Sequence, residues 1–389
     1  MTNERYKILN ICSWYPNELK PTLGNFVQKH AEVISRLNHN IVIAIFPSTD
    51  LKKIKITRNN RNTLTEIIVY YPKRTKGLGV FRIIRNYYHH YLAFKKAYGI
   101  VRDEFGKPDI VHLNIVYPLG IWAFWLKKRY KIPYVITENS SGFHLKSEHA
   151  YPKSVLRICK KILKNADYIL PVSANLRDNL RLLAPSKKYK MISNVVDENL
   201  FELREKLKNN HTLRLIHIST GVDEIKNLSG IVNVMNKLFS ENLSIQLDIV
   251  SDGDIEYARE KVTSLSLTEK ILFHSTKSTV EIAEMISKSD ALLMFSNYEN
   301  FPCVIAESLM SGKPVISSNV NGIPEHVNQE NGILVNPGDE EALAMAIKSF
   351  YSKEKLFSPK VIREYAESKF GYASVSLQFQ KVYNELLKV

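Results

Sequence analysis

Short runs of β-branched and aromatic residues alternate with helix-length amphipathic segments along almost the whole chain. Parallel strands need a crossover of a dozen or more residues, usually a helix, so this alternation predicts βαβ units around parallel sheets. Two sets of units are read. In the first, strands are expected at Lys7 to Cys12, Asn40 to Phe46, Ile110 to Leu113, Tyr134 to Thr137, Tyr168 to Val172 and Lys190 to Ile192. In the second they are expected at Leu213 to Ile218, Ile245 to Val250, Ile271 to His274, Ala291 to Phe295, Val315 to Ser317 and Ile333 to Val335. The polar segment Glu202 to His211 between the sets is the expected hinge, and Tyr372 to Leu387 reads as a helix after the break at Gly371. The predicted fold is α/β, with two Rossmann-like domains facing across a cleft: residues 1–201, residues 202–365, and a C-terminal helix over 366–389 returning to the first domain. A ligand is expected at the C-terminal strand edges.

Charge separates the two halves. The chain of 389 residues carries 54 Lys plus Arg and 39 Asp plus Glu, for a net +15. Residues 1–200 hold +20 of this and residues 201–389 hold −5, so the excess lies wholly in the first domain. Between Lys52 and Arg102 there are 13 basic residues and one acid, Glu66, interleaved with eight Tyr and Phe. Such asymmetry implies an anionic partner for one domain only. The longest nearly apolar run, Ile115 to Leu126, is too short to span a bilayer, which takes about 20 residues, and no signal-peptide h-region opens the chain. Cys12, Cys159 and Cys303 lack metal-ligand spacing, which suits a reducing cytoplasm.

The most specific constellation runs from Ser296 through Asn297-Tyr298-Glu299-Asn300-Phe301-Pro302-Cys303 to Glu307, followed by Ser311-Gly312-Lys313-Pro314. Glu299 lies in the loop leaving a predicted buried strand and Glu307 within the next helix. Asn300 reads as that helix's cap and Pro302 as part of its first turn. Both carboxylates can then face the crevice, with backbone N–H groups around Phe301 to Cys303 offered to an anion. Gly312 stops the helix.

These residues resemble the Glu-x7-Glu signature of the retaining glycosyltransferases of family 4, which have the GT-B fold. The resemblance extends over Ala166-Asp167 to Val172-Ser173, Asn194-Val195-Val196-Asp197, Lys226-Asn227, Ser251-Asp252-Gly253, Gly322-Ile323-Pro324-Glu325 and Asn331 to Val335. It implies transfer of a sugar from a nucleotide-diphosphate donor with retention at the anomeric carbon, with no cofactor and no metal. The N-terminal domain would receive the acceptor and the C-terminal domain the nucleotide sugar. Glu307 would accept from the ribose hydroxyls, Glu299 would orient the donor sugar, and Lys226 would neutralise the diphosphate as the glycosidic bond breaks. Asn300, Phe301, Pro302 and Cys303 would border the donor, with Ser275 and Thr276 beside the base.

Two positions depart from the family pattern. Thr220 stands where an Arg is common six residues before the diphosphate lysine, leaving one cation fewer, with Arg177 and Arg181 as alternative sources. Asn139 stands where a His often touches the donor sugar; it can hydrogen-bond but not titrate, and His144 is nearby. Gly24, after the first strand, permits close backbone approach to phosphate or acceptor, or is a plain loop glycine. His30, one turn on, reads as a packed histidine.

The basic first domain suits an acceptor such as a lipid-linked saccharide presented at an anionic membrane surface. Along Val80 to Arg102, the residues Phe81, Ile84, Tyr88, Tyr91, Leu92 and Tyr98 fall near one side of a helix, with Arg82, Arg85, Lys95 and Lys96 around it. The alternative is that the apolar side packs on the sheet. The reading is thus a cytoplasmic glycosyltransferase, peripheral at the inner face of the membrane, building a bacterial surface polysaccharide or glycolipid. A nucleotide-sugar epimerase of the same fold is the alternative, and a nucleic-acid-binding protein a weaker one, because no helix-turn-helix, RNP-like or zinc signature is present. No Asp-x-Asp metal motif is read, since Ser251-Asp252-Gly253-Asp254 suits a tight turn.

Overall fold

A computed structural model describes residues 5–76, 79–144, 150–204 and 212–387. The chain forms two compact units, Met1–Ser193 with Val375–Val389, and Asn194–Ser374. The boundary falls at Ser193 rather than at 201. Val196 already bonds into the second unit, its N–H donating to the Phe370 carbonyl at 2.9 Å, and Phe201 is buried in that unit's core. The segment read as a hinge lies outside the described residues from 205 to 211.

The first unit contains β1 (Lys7–Cys12), β2 (His39–Ser48), β3 (Lys55–Arg61), β4 (Leu64–Pro72), β5 (Ile110–Asn114), β6 (Tyr134–Glu138), β7 (Tyr168–Pro171) and β8 (Lys188–Tyr189). They form one sheet in the order β3-β4-β2-β1-β5-β6-β7-β8, parallel except where β3 runs antiparallel to β4. All of β5 and β6 is buried, as expected of parallel strands covered by helices on both faces. Residues from Val375 onward, in the helix Tyr372–Leu387, complete this unit: Ser376 donates to the Val33 carbonyl at 3.1 Å, and Tyr383 lies 2.7 Å from His112.

Two features of this sheet correct the sequence reading. The hairpin β3–β4 sits inside the stretch read only as basic and aromatic. Leu64-Thr65-Glu66-Ile67-Ile68-Val69 is nonetheless a β-branched run with nearly continuous burial, turned at Asn62 (φ 48°), and it pairs with β2 along nine positions. The exposed, polar β3 caps the edge, where its arginines and lysine discourage further pairing. The last strand occupies Lys188–Tyr189 instead of Lys190 to Ile192. Lys190 and Ile192 still donate to the carbonyls of Ile169 and Pro171, but outside a regular ladder.

The second unit contains β9 (Leu213–Ser219), β10 (Ile245–Ser251), β11 (Ile271–His274), β12 (Ala291–Met294), β13 (Val315–Ser318) and β14 (Gly332–Val335). Their order, β11-β10-β9-β12-β13-β14, is the doubly wound order with its topological switch between β9 and β12. The helices Leu228–Ser240 and Glu340–Tyr351 cover one face through Ile231, Met235, Leu343 and Ile347. Cys303–Met310 and Pro359–Phe370 cover the other through Ile305, Leu309, Ile362 and Phe370. The crevice at the carboxyl ends of β9 and β12 is where such a sheet takes a ligand.

Candidate functional site

At the switch point, β9 turns through Thr220-Gly221 into one helical turn, Asp223–Lys226. Gly221 has φ +71°, and a Cβ there would lie 2.2 Å from Ile255 Cγ2, so only glycine fits. Ser219 Oγ accepts the Gly221 N–H at 3.1 Å and lies 2.8 Å from His217 Nε2, while His217 Nδ1 lies 2.9 Å from the Leu293 carbonyl. A carbonyl only accepts, so Nδ1 carries the proton and Nε2 accepts from the Ser219 hydroxyl. Burial, joined by the weaker effect of the Lys226 ammonium, pushes this imidazole down to about 4. His217 holds the turn from below; its place in an apolar run concealed it in the sequence.

Lys226 closes the helical turn, its N–H donating to the Val222 carbonyl at 2.7 Å. Its Nζ meets Glu299 Oε1 at 2.5 Å, with side chains 15% and 8% exposed. Ser296 Oγ donates to the same Glu299 oxygen at 2.9 Å, and the Glu299 N–H donates to Asn321 Oδ1 at 3.3 Å. Asn297 laces the two loops, its N–H and Nδ2 donating to the carbonyls of Ile225 (2.8 Å) and Glu224 (3.1 Å). Two residues from different loops, 73 apart in sequence, are thus joined in one ion pair at the mouth of the crevice. An ammonium held this way is fixed in position and still partly open to an arriving anion. Ser296 and Asn321, which hold Glu299, had no assigned role in the sequence.

The helix after Glu299 spans Cys303–Met310, with Pro302 at its N-cap and no side-chain cap. Asn300 is therefore not the cap, and Pro302 precedes the first turn rather than belonging to it; the side chain of Asn300 accepts from the Tyr298 hydroxyl at 3.4 Å. Phe301 is buried, its ring 4.4 Å from His326 and 5.4 Å from Phe370, so it anchors the loop from beneath. Cys303 and Glu307 are half-buried on the helix. The helix ends as expected at Gly312 (φ +69°): Gly312 and Lys313 donate to the carbonyls of Leu309 and Ser308 at 3.0 and 2.9 Å, a Schellman closure.

Thr220, Ser275 and Thr276 are exposed in this unit. Ser275 and Thr276 border a hollow of about 270 Å³ with Ser251, Asp252, Gly253 and Arg259. Gly253 lies against the β9 loop, where a Cβ would come 2.0 Å from the Thr220 carbonyl oxygen. Gly253→Ala must displace that backbone, at a cost of about 1–3 kcal/mol. Calorimetry should show the second unit melting several degrees lower, whereas Gly338→Ala, with no neighbour within 4 Å but φ +75°, carries only the conformational penalty.

The remaining candidates lie in the first unit. Gly24 has φ +69°, and a Cβ would come 2.7 Å from the Trp14 carbonyl carbon, so local packing already requires glycine. Asn139 follows Glu138, a fully buried carboxylate that accepts the N–H groups of Val116, Asn139 and Ser140 at 2.7–2.9 Å. Burial pushes Glu138 up to about 7 against those three bonds. It joins the loops after β5 and β6, a role unread in the sequence. His144 is buried within 3.5 Å of Asn179. His30 is buried against Phe379. Arg177 and Arg181 flank Asp178 on the helix Ala174–Leu183. Arg82, Arg85, Lys95 and Lys96 all lie on the helix Gly79–Phe105.

Two family models match this chain: Glycosyltransferase Family 4 over residues 24–200, and Glycosyl transferases group 1 over residues 200–369. N-acetyl-alpha-D-glucosaminyl L-malate synthase of Bacillus anthracis is 25% identical over 312 residues, covering 76% of this chain and 79% of its own. A Bacillus subtilis (strain 168) protein that carries the name of a teichuronic acid biosynthesis glycosyltransferase, TuaC, is 23% identical and covers 93% of both chains. Among solved structures, sucrose-phosphate synthase from Thermosynechococcus elongatus superposes with a TM-score of 0.77 at 20% identity, covering 98% of this chain and 99% of that one. Anabaena HepE, solved in complex with UDP, gives 0.72 at 14% identity and covers 97% and 100%. The fold is therefore that of the GT-B glycosyltransferases. The chain belongs to the group 1 glycosyltransferases of family 4, and neither the epimerase nor the nucleic-acid reading is favoured.

Proposed function

We propose that the enzyme transfers a sugar from a nucleotide-diphosphate donor to a saccharide or lipid-linked acceptor with retention, without a divalent ion, in the synthesis of a bacterial surface polysaccharide or glycolipid. It works in the cytoplasm at the inner face of the membrane. The observation that carries this reading is the Lys226–Glu299 pair at the crevice of the doubly wound unit. Lys226 Nζ takes up the charge that develops on the diphosphate as its bond to the anomeric carbon breaks. Glu299, held by Ser296 and Asn321, accepts from donor-sugar hydroxyls and orients the ring. Glu307 accepts from the ribose diol. The acceptor hydroxyl attacks from the face the diphosphate leaves, and its proton passes to a leaving-group oxygen, so no protein nucleophile is used. The name of the Bacillus subtilis relative supports the surface-polymer setting, and a 23% identical alpha-monoglucosyldiacylglycerol synthase of Streptococcus pneumoniae, matched over 58% of this chain, supports a lipid acceptor.

A panel of nucleotide sugars tested by thermal shift checks this reading. At one hundred times Kd a donor stabilises its unit by about 2.7 kcal/mol, roughly 5–10 °C for a unit of this size. A flat response to every nucleotide sugar would refute it.

A further inference from the structure

The long helix Gly79–Phe105 changes character along its length. Its second half buries Ala93, Phe94, Ala97, Tyr98 and Val101 in the ordinary way. In its first three turns the amphipathicity is inverted. The side facing the rest of the unit is polar: Arg82 donates to the Thr75 carbonyl at 2.8 Å, Asn86 exchanges hydrogen bonds with the Arg74 backbone, and His89 meets the Pro72 carbonyl at 2.9 Å. The outward side is apolar. Val80, Phe81, Ile83, Ile84, Tyr87 and Tyr88 are all exposed, Phe81 at 73% and Tyr87 at 70%, and fall within roughly 160° of the circumference at 100° per residue.

The face continues onto the next helix, Gly120–Tyr130. Tyr91 lies 5.9 Å from Trp122, and Ile121 and Trp125 are exposed there. Cations flank it: Arg85, Lys95 and Lys96 are exposed on the first helix, and Lys128 and Lys161 sit over Phe124 at 5.6 and 5.2 Å. Soluble proteins rarely expose so large an apolar patch unless something covers it. Tyrosine and tryptophan bodies with a basic fringe are the chemistry of a bilayer interface, where rings enter the headgroup region and lysine and arginine pair with lipid phosphates.

We infer that the first three turns of the helix Gly79–Phe105, with the exposed face of Gly120–Tyr130, form the surface by which the first unit lies on an anionic lipid bilayer. Charge favours the bilayer over a second copy, which would bring the same cations to the contact. Nucleic acid would use the cations but leave Val80, Ile83 and Ile84 in water. The inference rests on the reading of the acceptor as lipid-carried. Among the described residues no helix is long and apolar enough to cross a membrane, so contact through this surface is interfacial.

Cosedimentation of the full chain with vesicles of phosphatidylcholine alone, or with 30 mol% phosphatidylglycerol (about one anionic lipid in three), tests it. The expected result is strong partition onto the anionic vesicles, weakened by salt. Phe81→Ser with Ile84→Ser should lower that partition about tenfold or more, with an unchanged melting temperature because both side chains are exposed. Arg85→Glu with Lys96→Glu should lower it about fivefold or more per residue, the factor that about 1 kcal/mol at the surface implies. Equal partition onto both vesicles, none onto either, or no loss in the apolar double variant would overturn the inference. So would a concentration-dependent dimer, seen by ultracentrifugation, that the apolar variant abolishes. Transfer to a detergent-solubilised lipid acceptor is measured alongside: its failure with intact vesicle binding counts against the acceptor reading, and its success without vesicle binding counts against this surface.

Discussion

Lys226→Gln and Glu299→Gln are each expected to lower kcat by about 10²–10³, the size of effect that follows loss of one group aimed at developing charge. Glutamine is the informative replacement at both positions. The pair is nearly buried, and an alanine would leave the remaining charge with neither a counter-charge nor a hydrogen-bond partner at that place, at a cost of about 3–5 kcal/mol that glutamine lessens by keeping the hydrogen bond. At position 299, glutamine keeps an oxygen to accept from Ser296 and Lys226 while removing the charge. The two losses should fall differently. Lys226→Gln removes a charge that matters most as the diphosphate departs, so kcat falls more than KM rises. Glu299→Gln weakens orientation of the sugar already in the ground state, so both change. Because the groups touch, the double variant should lose much less than the sum of the two. Steady-state kinetics of nucleoside diphosphate release with each folded variant checks this, and near-normal turnover in both singles would remove the pair from the mechanism.

Stability should fall steeply as pH drops from about 6.5 toward 4. Four imidazoles are held unprotonated, three of them buried and His326 half-buried: His112 is pushed down to about 3, and His30, His217 and His326 to about 4, in each case chiefly by desolvation. In the unfolded chain they titrate near 6.5. Below that pH the unfolded state binds protons the native state refuses, so each contribution is fully present above 6.5 and is lost as pH falls toward the native value. Each is worth about 1.4 kcal/mol per pH unit. Glu138 acts oppositely, since its native value near 7 exceeds the unfolded one; its contribution is present below about 4.5 and is lost as pH rises through 7. His30, His112 and Glu138 lie in the first unit, and His217 and His326 in the second. Burial lowers His90 of the first unit as well, so Glu138 offsets only part of that unit's loss and both units should lose stability as pH falls from 6.5. Urea unfolding at pH 7, 6 and 5 with a probe in each unit measures this, and equal midpoints at all three would contradict the assignments.

What could be read in the sequence follows from how local each signal is. The strand Lys7–Cys12 is legible to the residue because burial on both faces writes a continuous apolar run, and the half-buried edge strand Ile271–His274 because its short apolar run is bounded by polar residues. The hairpin β3–β4 was hidden because β3 is an edge strand whose exposed residues are polar, and the surrounding charge drew attention to a partner instead of a sheet. Glu299 and Lys226 could be picked out by motif, but not their ion pair, which depends on β9 lying beside β12. Asn300 looked like a cap by residue type; the chain extends through Pro302 before the helix begins. Glu138 and His217 escaped for the same reason: a polar residue in an apolar run carries no local mark of the backbone groups that a neighbouring strand or loop brings to it.

The central claim is that this crevice supports transfer with retention at the anomeric carbon. Proton NMR of the glycoside formed from the donor that thermal shift identifies tests it most directly. The account predicts that the first product detected has the anomeric configuration of the donor, with one nucleoside diphosphate released per sugar transferred. A first product of inverted configuration would contradict it.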